Sequence, residues 1–131
     1  MIFIDSNVPM YVVGAPHPNK DRVLALLAQL AGDGERLVTD VEVYQEILHR
    51  YTAIRRPDAI DVAFANLDAI IDELLPFGIS EVRAAKALLD SVDGLSARDA
   101  LHVAVMRRAG VHRILSFDHG FDLCPGIDRL R

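Results

Sequence analysis

Residues 1–7 read Met-Ile-Phe-Ile-Asp-Ser-Asn, an apolar run broken off at Asp5. A buried parallel strand reads this way where its C-terminal end meets a functional edge. The pattern returns near the other end of the chain, where Arg113 to Phe117 forms a strand closed by the turn Asp118-His119-Gly120. A third short strand, Leu37 to Thr39, runs into Thr39-Asp40-Val41-Glu42, a capping-box pattern that opens a helix reaching about Arg56 before Pro57. Between these lie further helices. Asn19 and Asp21 precede one that stops at Gly32-Asp33-Gly34, and another covers about Asp58 to Leu75. Phe77 to Ile79 reads as a short strand, Ser80 caps the next helix, and Ser96 caps an Ala-rich helix ending at Gly110. A last strand lies near Ile127 to Leu130. Strands alternating with helices predict a three-layer α/β/α sandwich with a mainly parallel central sheet, in which ligands sit at the carboxyl ends of the strands.

The 131 residues are enough for a single domain with its own core, and no linker or repeat divides residues 1–131. No apolar run approaches the length of a membrane span. The opening residues carry no basic stretch before an apolar one, so no secretory signal is expected. The one cysteine, Cys124, has no partner at metal-ligand spacing, which points to a structural role and a reducing cytoplasm. A net charge of −5 argues weakly against nucleic acid, unless part of that charge is an acidic metal site inside a cleft.

Four acids are the candidates for chemistry. Asp5 and Asp118 each follow an apolar strand. On a helical wheel Glu46 borders the apolar arc of Val43, Ile47 and Tyr51, and Asp99 points among His102, Val103 and Met106. A lone ionised carboxylate among apolar residues is costly unless paired or metal-bound. Each acid also has a plainer reading: an Asx turn at Asp5, a turn at Asp118, a rim residue at Glu46, and a capping-box acid at Asp99. His102 reads as a structural histidine and His119 as a turn residue. Arg50, Arg55 and Arg56 suit either phosphate contacts or a solvated helix end. Clustered carboxylates suit Mg²⁺ or Mn²⁺, hard ions that take oxygen ligands, acidify water and offset charge on a phosphodiester.

FIDSN at residues 3–7, Glu46 in VYQEILHRY, Asp99 in ARDALHVAVMRRAG and Asp118 in ILSFDHGFD together resemble the PIN-domain family. The size and motifs are similar to the VapC toxins of toxin–antitoxin pairs. The resemblance spans essentially the whole chain and implies a metal-dependent endoribonuclease, with Asp5, Glu46, Asp99 and Asp118 as its acids. Asn7 and Ser116 would support them, Ser116 standing where the family commonly has Thr, and Asp122 is close enough in sequence to assist Asp118. It further implies an RNA substrate, a cognate antitoxin that blocks the site, and a toxin homodimer assembling with that antitoxin. Two other readings compete. FIDSNV resembles the D-x-D strand end of haloacid-dehalogenase-type phosphatases, but the second acid is Asn7 and no lysine motif follows. An inactive PIN-like binding module is the other, and the presence of all four acids argues against it.

Overall fold

The computed structural model, which describes residues 1–131, places five parallel strands in the order β3-β2-β1-β4-β5. They are β1 (Ile2–Ile4), β2 (Leu37–Asp40), β3 (Glu73–Leu75), β4 (Arg113–Leu115) and β5 (Asp128–Leu130). Phe3 of β1 lies in register with Val38 on one side and Ile114 on the other. Every residue of β1 and β2 is buried, as the central strands of a sheet covered on both faces must be. The helices are α1 (Asn7–Val13), α2 (Pro18–Gly32), α3 (Val41–Ala53), α4 (Asp58–Ile70), α5 (Ile79–Ser91) and α6 (Ala97–Arg108), with a 3₁₀ turn at His119–Leu123. This is the α/β sandwich that the alternating pattern predicts. The chain steps outward from β1 through β2 to β3, then returns across the sheet to β4 and β5. That reversal opens a crevice at the carboxyl ends of β1 and β4.

Several boundaries differ from the sequence reading. The helix expected over Asp58 to Leu75 ends at Ile70, and its last residues form the edge strand β3. Asp72 accounts for the switch: its backbone N–H donates to Leu37 O at 2.7 Å, and its carboxylate accepts from Leu37 N at 2.8 Å. Sheet pairing thus overrides a helical period that continues through this segment. Consequently no strand forms at Phe77 to Ile79, and α5 starts one residue before the expected cap at Ser80. Gly78 precedes that helix, and its N–H is held by Glu81 Oε2 at 2.7 Å. α1 was not expected, because seven residues are too few to show a period. At α2 the cap is His17, whose Nδ1 accepts from Asn19 N, with Pro18 as the first helical residue.

α6 matters most for the site. Asp99, Ala100 and His102 through Met106 are all buried, so this helix is covered on nearly every side. It therefore carries polar groups into the interior, where each requires a partner.

The middle of the sheet sets the stability of this frame. Ile114→Ala removes a fully buried side chain from β4. It is expected to lower the unfolding free energy by about 2–5 kcal/mol in urea titrations while far-UV dichroism stays native. A loss below about 1 kcal/mol would mean that β4 is not packed in the core.

Candidate active site

The carboxyl ends of β1, β2 and β4 deliver Asp5, Asp40 and the Ser116–Asp118 segment to one edge, while α3 and α6 supply Glu46, Asp99 and His102. Asp5 is buried and well supplied with donors. Its Oδ1 accepts from Ser6 N at 2.7 Å, and its Oδ2 accepts from Ser116 Oγ at 2.6 Å and Asn7 Nδ2 at 3.4 Å. Burial raises its pKa, Glu46 adds to the shift, and His102 with these hydrogen bonds opposes it. Ser116 Oγ also accepts from Asp118 N at 3.0 Å, so one hydroxyl links the first acid to the fourth. Asn7 ties the same segment down, its Oδ1 accepting from Phe117 N at 3.4 Å.

Glu46 is gripped at both oxygens. Ser6 Oγ donates to Oε2 at 2.6 Å, and His102 Nε2 lies 2.5 Å from Oε1. The other ring nitrogen of His102 is 2.8 Å from Asp40 Oδ2. Burial works against charge on this fully enclosed ring. The hydrogen bonds to Asp40 and Glu46 and the negative charges of Asp40 and Asp5 outweigh that, raising its pKa well above the ordinary value. Asp5, Glu46 and His102 each bring one ligand-type atom within 4.8 Å of the others.

Asp99 has no such compensation. Ser96 Oγ caps α6 by accepting from Asp99 N at 3.1 Å, which leaves the Asp99 carboxylate free to turn inward. Burial comes first in raising its pKa to about 7, followed by the charges of Asp118 and Asp5 and a hydrogen bond shared with Asp118. Asp118 in turn accepts from Gly120 N at 2.9 Å. The backbone passes so close here that a Cβ on Gly120 would lie 2.9 Å from Asp99 Oδ2 and 3.3 Å from Asp118 Oδ1. Only glycine leaves the paired acids undisturbed.

All four sequence-predicted acids thus reach one region, in two groups: Glu46 beside Asp5, and Asp99 beside Asp118. Asp122 is engaged elsewhere. Arg129, whose side chain is almost wholly buried, holds both its oxygens at 2.9 and 2.8 Å and also donates to Ser116 O at 3.2 Å. Glu46, Asp99 and Asp118 line an open cleft together with Glu42, Lys86 and Arg98. Arg50, Arg55 and Arg56 do not line it, and Arg56 pairs with Asp58 at 3.2 Å. Of the two cations that line the cleft, Arg98 lies beside the acids, 3.4 Å from Glu42 and 3.7 Å from Glu46. Sequence reasoning singled out neither Arg98 nor Asp40. Asp40 carries the same mark as Asp5 and Asp118, an acid closing an apolar strand, but the capping pattern absorbed it.

The PIN domain profile matches residues 2–126. The chain belongs to the PIN-domain family. Its relatives in that family include ribonuclease VapC13 of Mycobacterium tuberculosis, 52% identical over 130 residues that cover 99% of each chain. The fold also matches the crystal structure of Mycobacterium tuberculosis VapC20, described as a sarcin–ricin loop cleaving toxin. The TM-score is 0.74 at 20% identity, covering 93% of each chain. A toxin–antitoxin complex from Klebsiella pneumoniae matches with a TM-score of 0.62 at 11% identity, covering 97% of this chain and 95% of that one. The dehalogenase reading drops out with these matches, and Asn7, in place of a second acid, serves this PIN domain as a hydrogen-bonding bridge.

The raised pKa of Asp99 fixes a pH dependence. Its folded value of about 7 stands above the ordinary 3.8. Between those values the native state binds more protons than the unfolded state, so stability falls as pH rises through the window. With EDTA present, the unfolding free energy of the wild type relative to Asp99→Asn should drop from pH 5 to pH 7.5. Parallel pH profiles for the two proteins in urea titrations would remove Asp99 from the repelling cluster.

Proposed function

We propose that this PIN domain is a Mg²⁺- or Mn²⁺-dependent endoribonuclease, the toxin of a type II toxin–antitoxin pair acting in the cytoplasm. The observation that carries the reading is the convergence of buried Asp5 and Asp99 with Asp118 and Glu46 at one edge of the sheet, lining or adjoining a cleft. The donor set suits a hard cation, since all four groups offer carboxylate oxygens and no thiolate stands among them. The crowding at Asp99 also favours a positive charge that would relieve it. Asp5, Glu46, Asp99 and Asp118 are the residues that would hold the ion. When bound, it supplies an acidified water and a charge that offsets the phosphodiester in its transition state.

The chain's own groups then have distinct tasks. Ser116 and Asn7 fix Asp5 and the segment leading to Asp118. Asp99, protonated in part near neutrality, gives up that proton as positive charge arrives. Arg98, half out of the cleft, offers its guanidinium to a backbone phosphate, the contact that arginine geometry favours. RNA as the substrate follows the ribonuclease relative at 52% identity.

An antitoxin partner follows from the same kinship and from the chemistry of the cleft. An acidic site attracts a basic side chain, so the antitoxin is expected to place an Arg or Lys over the four acids. The toxin would form a homodimer that assembles with antitoxin into a hetero-oligomer, as the fold's occurrence in a toxin–antitoxin complex supports.

Asp5→Asn and Asp99→Asn should each leave the fold intact and lower RNA cleavage in Mg²⁺ by more than the roughly 10–100-fold that loss of a supporting residue costs. Growth inhibition on expression should disappear with it. Full cleavage by either purified variant would remove that residue from the site. Arg98→Gln should retain cleavage chemistry but weaken RNA binding and flatten its dependence on salt by about one unit of slope. An unchanged salt slope would place the phosphate elsewhere.

A further inference from the structure

His102 is a fully buried ring on a helix that carries one of the four acids, yet both its nitrogens are spent on other residues. Nε2 meets Glu46 Oε1 at 2.5 Å and Nδ1 meets Asp40 Oδ2 at 2.8 Å. Asp40 uses its second oxygen to accept from Val43 N at 3.1 Å, fixing the first turn of α3, the helix that bears Glu46. One carboxylate therefore anchors both the helix under Glu46 and the ring that holds the end of its side chain. The ring itself cannot swing, because it is fully buried and packs on Phe3 with centroids 5.2 Å apart.

Glu46 has particular need of such a device. It reaches the site from the second turn of a helix through a long, flexible side chain, whereas Asp5 is fixed beside its own strand. We infer that His102, which Asp40 anchors, is a positioning residue that sets the angle at which the Glu46 carboxylate meets a divalent cation. The inference rests on reading the acids as a metal centre. It differs from a packing role for the ring in one respect: the bond to Glu46 matters for the cation, while the bond to Asp40 alone does not suffice.

Two substitutions separate the bonds. His102→Gln puts an amide N–H close to where Nε2 stood and keeps the contact with Glu46. His102→Asn puts one close to Nδ1 and keeps only Asp40. Both are neutral, so the change in charge cancels between them. Mn²⁺ binding to the purified proteins, measured by calorimetry without RNA, should be about tenfold or more weaker in His102→Asn than in His102→Gln. Equal affinities overturn the inference. Asp5→Asn is the control: if it loses Mn²⁺ while the two His102 variants match, the metal centre stands and only the positioning role fails. If Asp5→Asn binds Mn²⁺ like the wild type, the metal centre fails and the inference with it.

Should either His102 variant not fold, the wild type labelled with ¹⁵N gives the answer directly. The Nε2 resonance of His102 should move on saturation with Mg²⁺ and stay put in Asp5→Asn. A ring that ignores Mg²⁺ in the wild type overturns the inference.

Discussion

Parallel strands all end at the same edge of a sheet, and here three of them end in acids. Two carboxylates 4 Å apart repel by about 4 kcal/mol at an effective dielectric near 20, so such an edge has to be neutralised or protonated. The structure does this unevenly. Asp40 and Glu46 share the two ring nitrogens of His102, and Asp5 is surrounded by a backbone N–H, a hydroxyl and an amide. Asp99 and Asp118 have each other, and the strain appears as the upward shift of Asp99. The uncompensated pair lines the cleft together with Glu46. Added positive charge is therefore most favourable where a solvent-borne cation, a phosphate-bound cation or a basic side chain can reach.

Much of the remaining architecture keeps this edge from relaxing. The buried strands give Asp5 and Asp40 no freedom to withdraw, since a shift of one residue along the sheet would draw a carboxylate into the apolar layer on either face. Thr39 Oγ1 ties β2 to Ile4 O at 2.8 Å, directly beside the acids. On the far side the almost wholly buried Arg129 holds the 3₁₀ turn through Asp122 and grips Ser116 O, so the segment carrying Asp118 is pinned from β5. Gly120 lets that segment lie against the paired carboxylates.

The sequence displays the parts of this arrangement that local rules can express. An apolar strand that stops at an acid shows Asp5 and Asp118, and helical periodicity shows Asp99 turned inward and Glu46 at a border. Asp40 was hidden because a capping residue and a buried ion-pair partner look alike in sequence, and this side chain is both, one oxygen to each task. β3 was hidden because Glu73–Leu75 continues a helical period and becomes a strand only through Leu37 and Asp72. The cation that lines the cleft was hidden for a related reason. Basic residues next to Glu46 in the chain lie outside the cleft, whereas Arg98, on another helix, lies in it. Adjacency in space between α3 and α6 is a property of packing, which no single segment encodes.

A net charge of −5 sits awkwardly with an RNA partner until the charge is divided by place. The acids that line the cleft count against RNA only while they are bare. A divalent ion held there converts that patch from one that repels phosphate into one that attracts it, and leaves Arg98 with less carboxylate to attend to. A basic side chain from an antitoxin answers the same negative charge but brings no free coordination position for a phosphate. On the proposed function, ion and antitoxin would be two solutions to one electrostatic problem, and only one of them would admit RNA. If both occupy the four acids, binding of either would weaken binding of the other, and by an equal factor, because coupling between two ligands on one protein is reciprocal. On this reading inhibition requires no change in the fold, only the substitution of one positive charge for another at the end of β1.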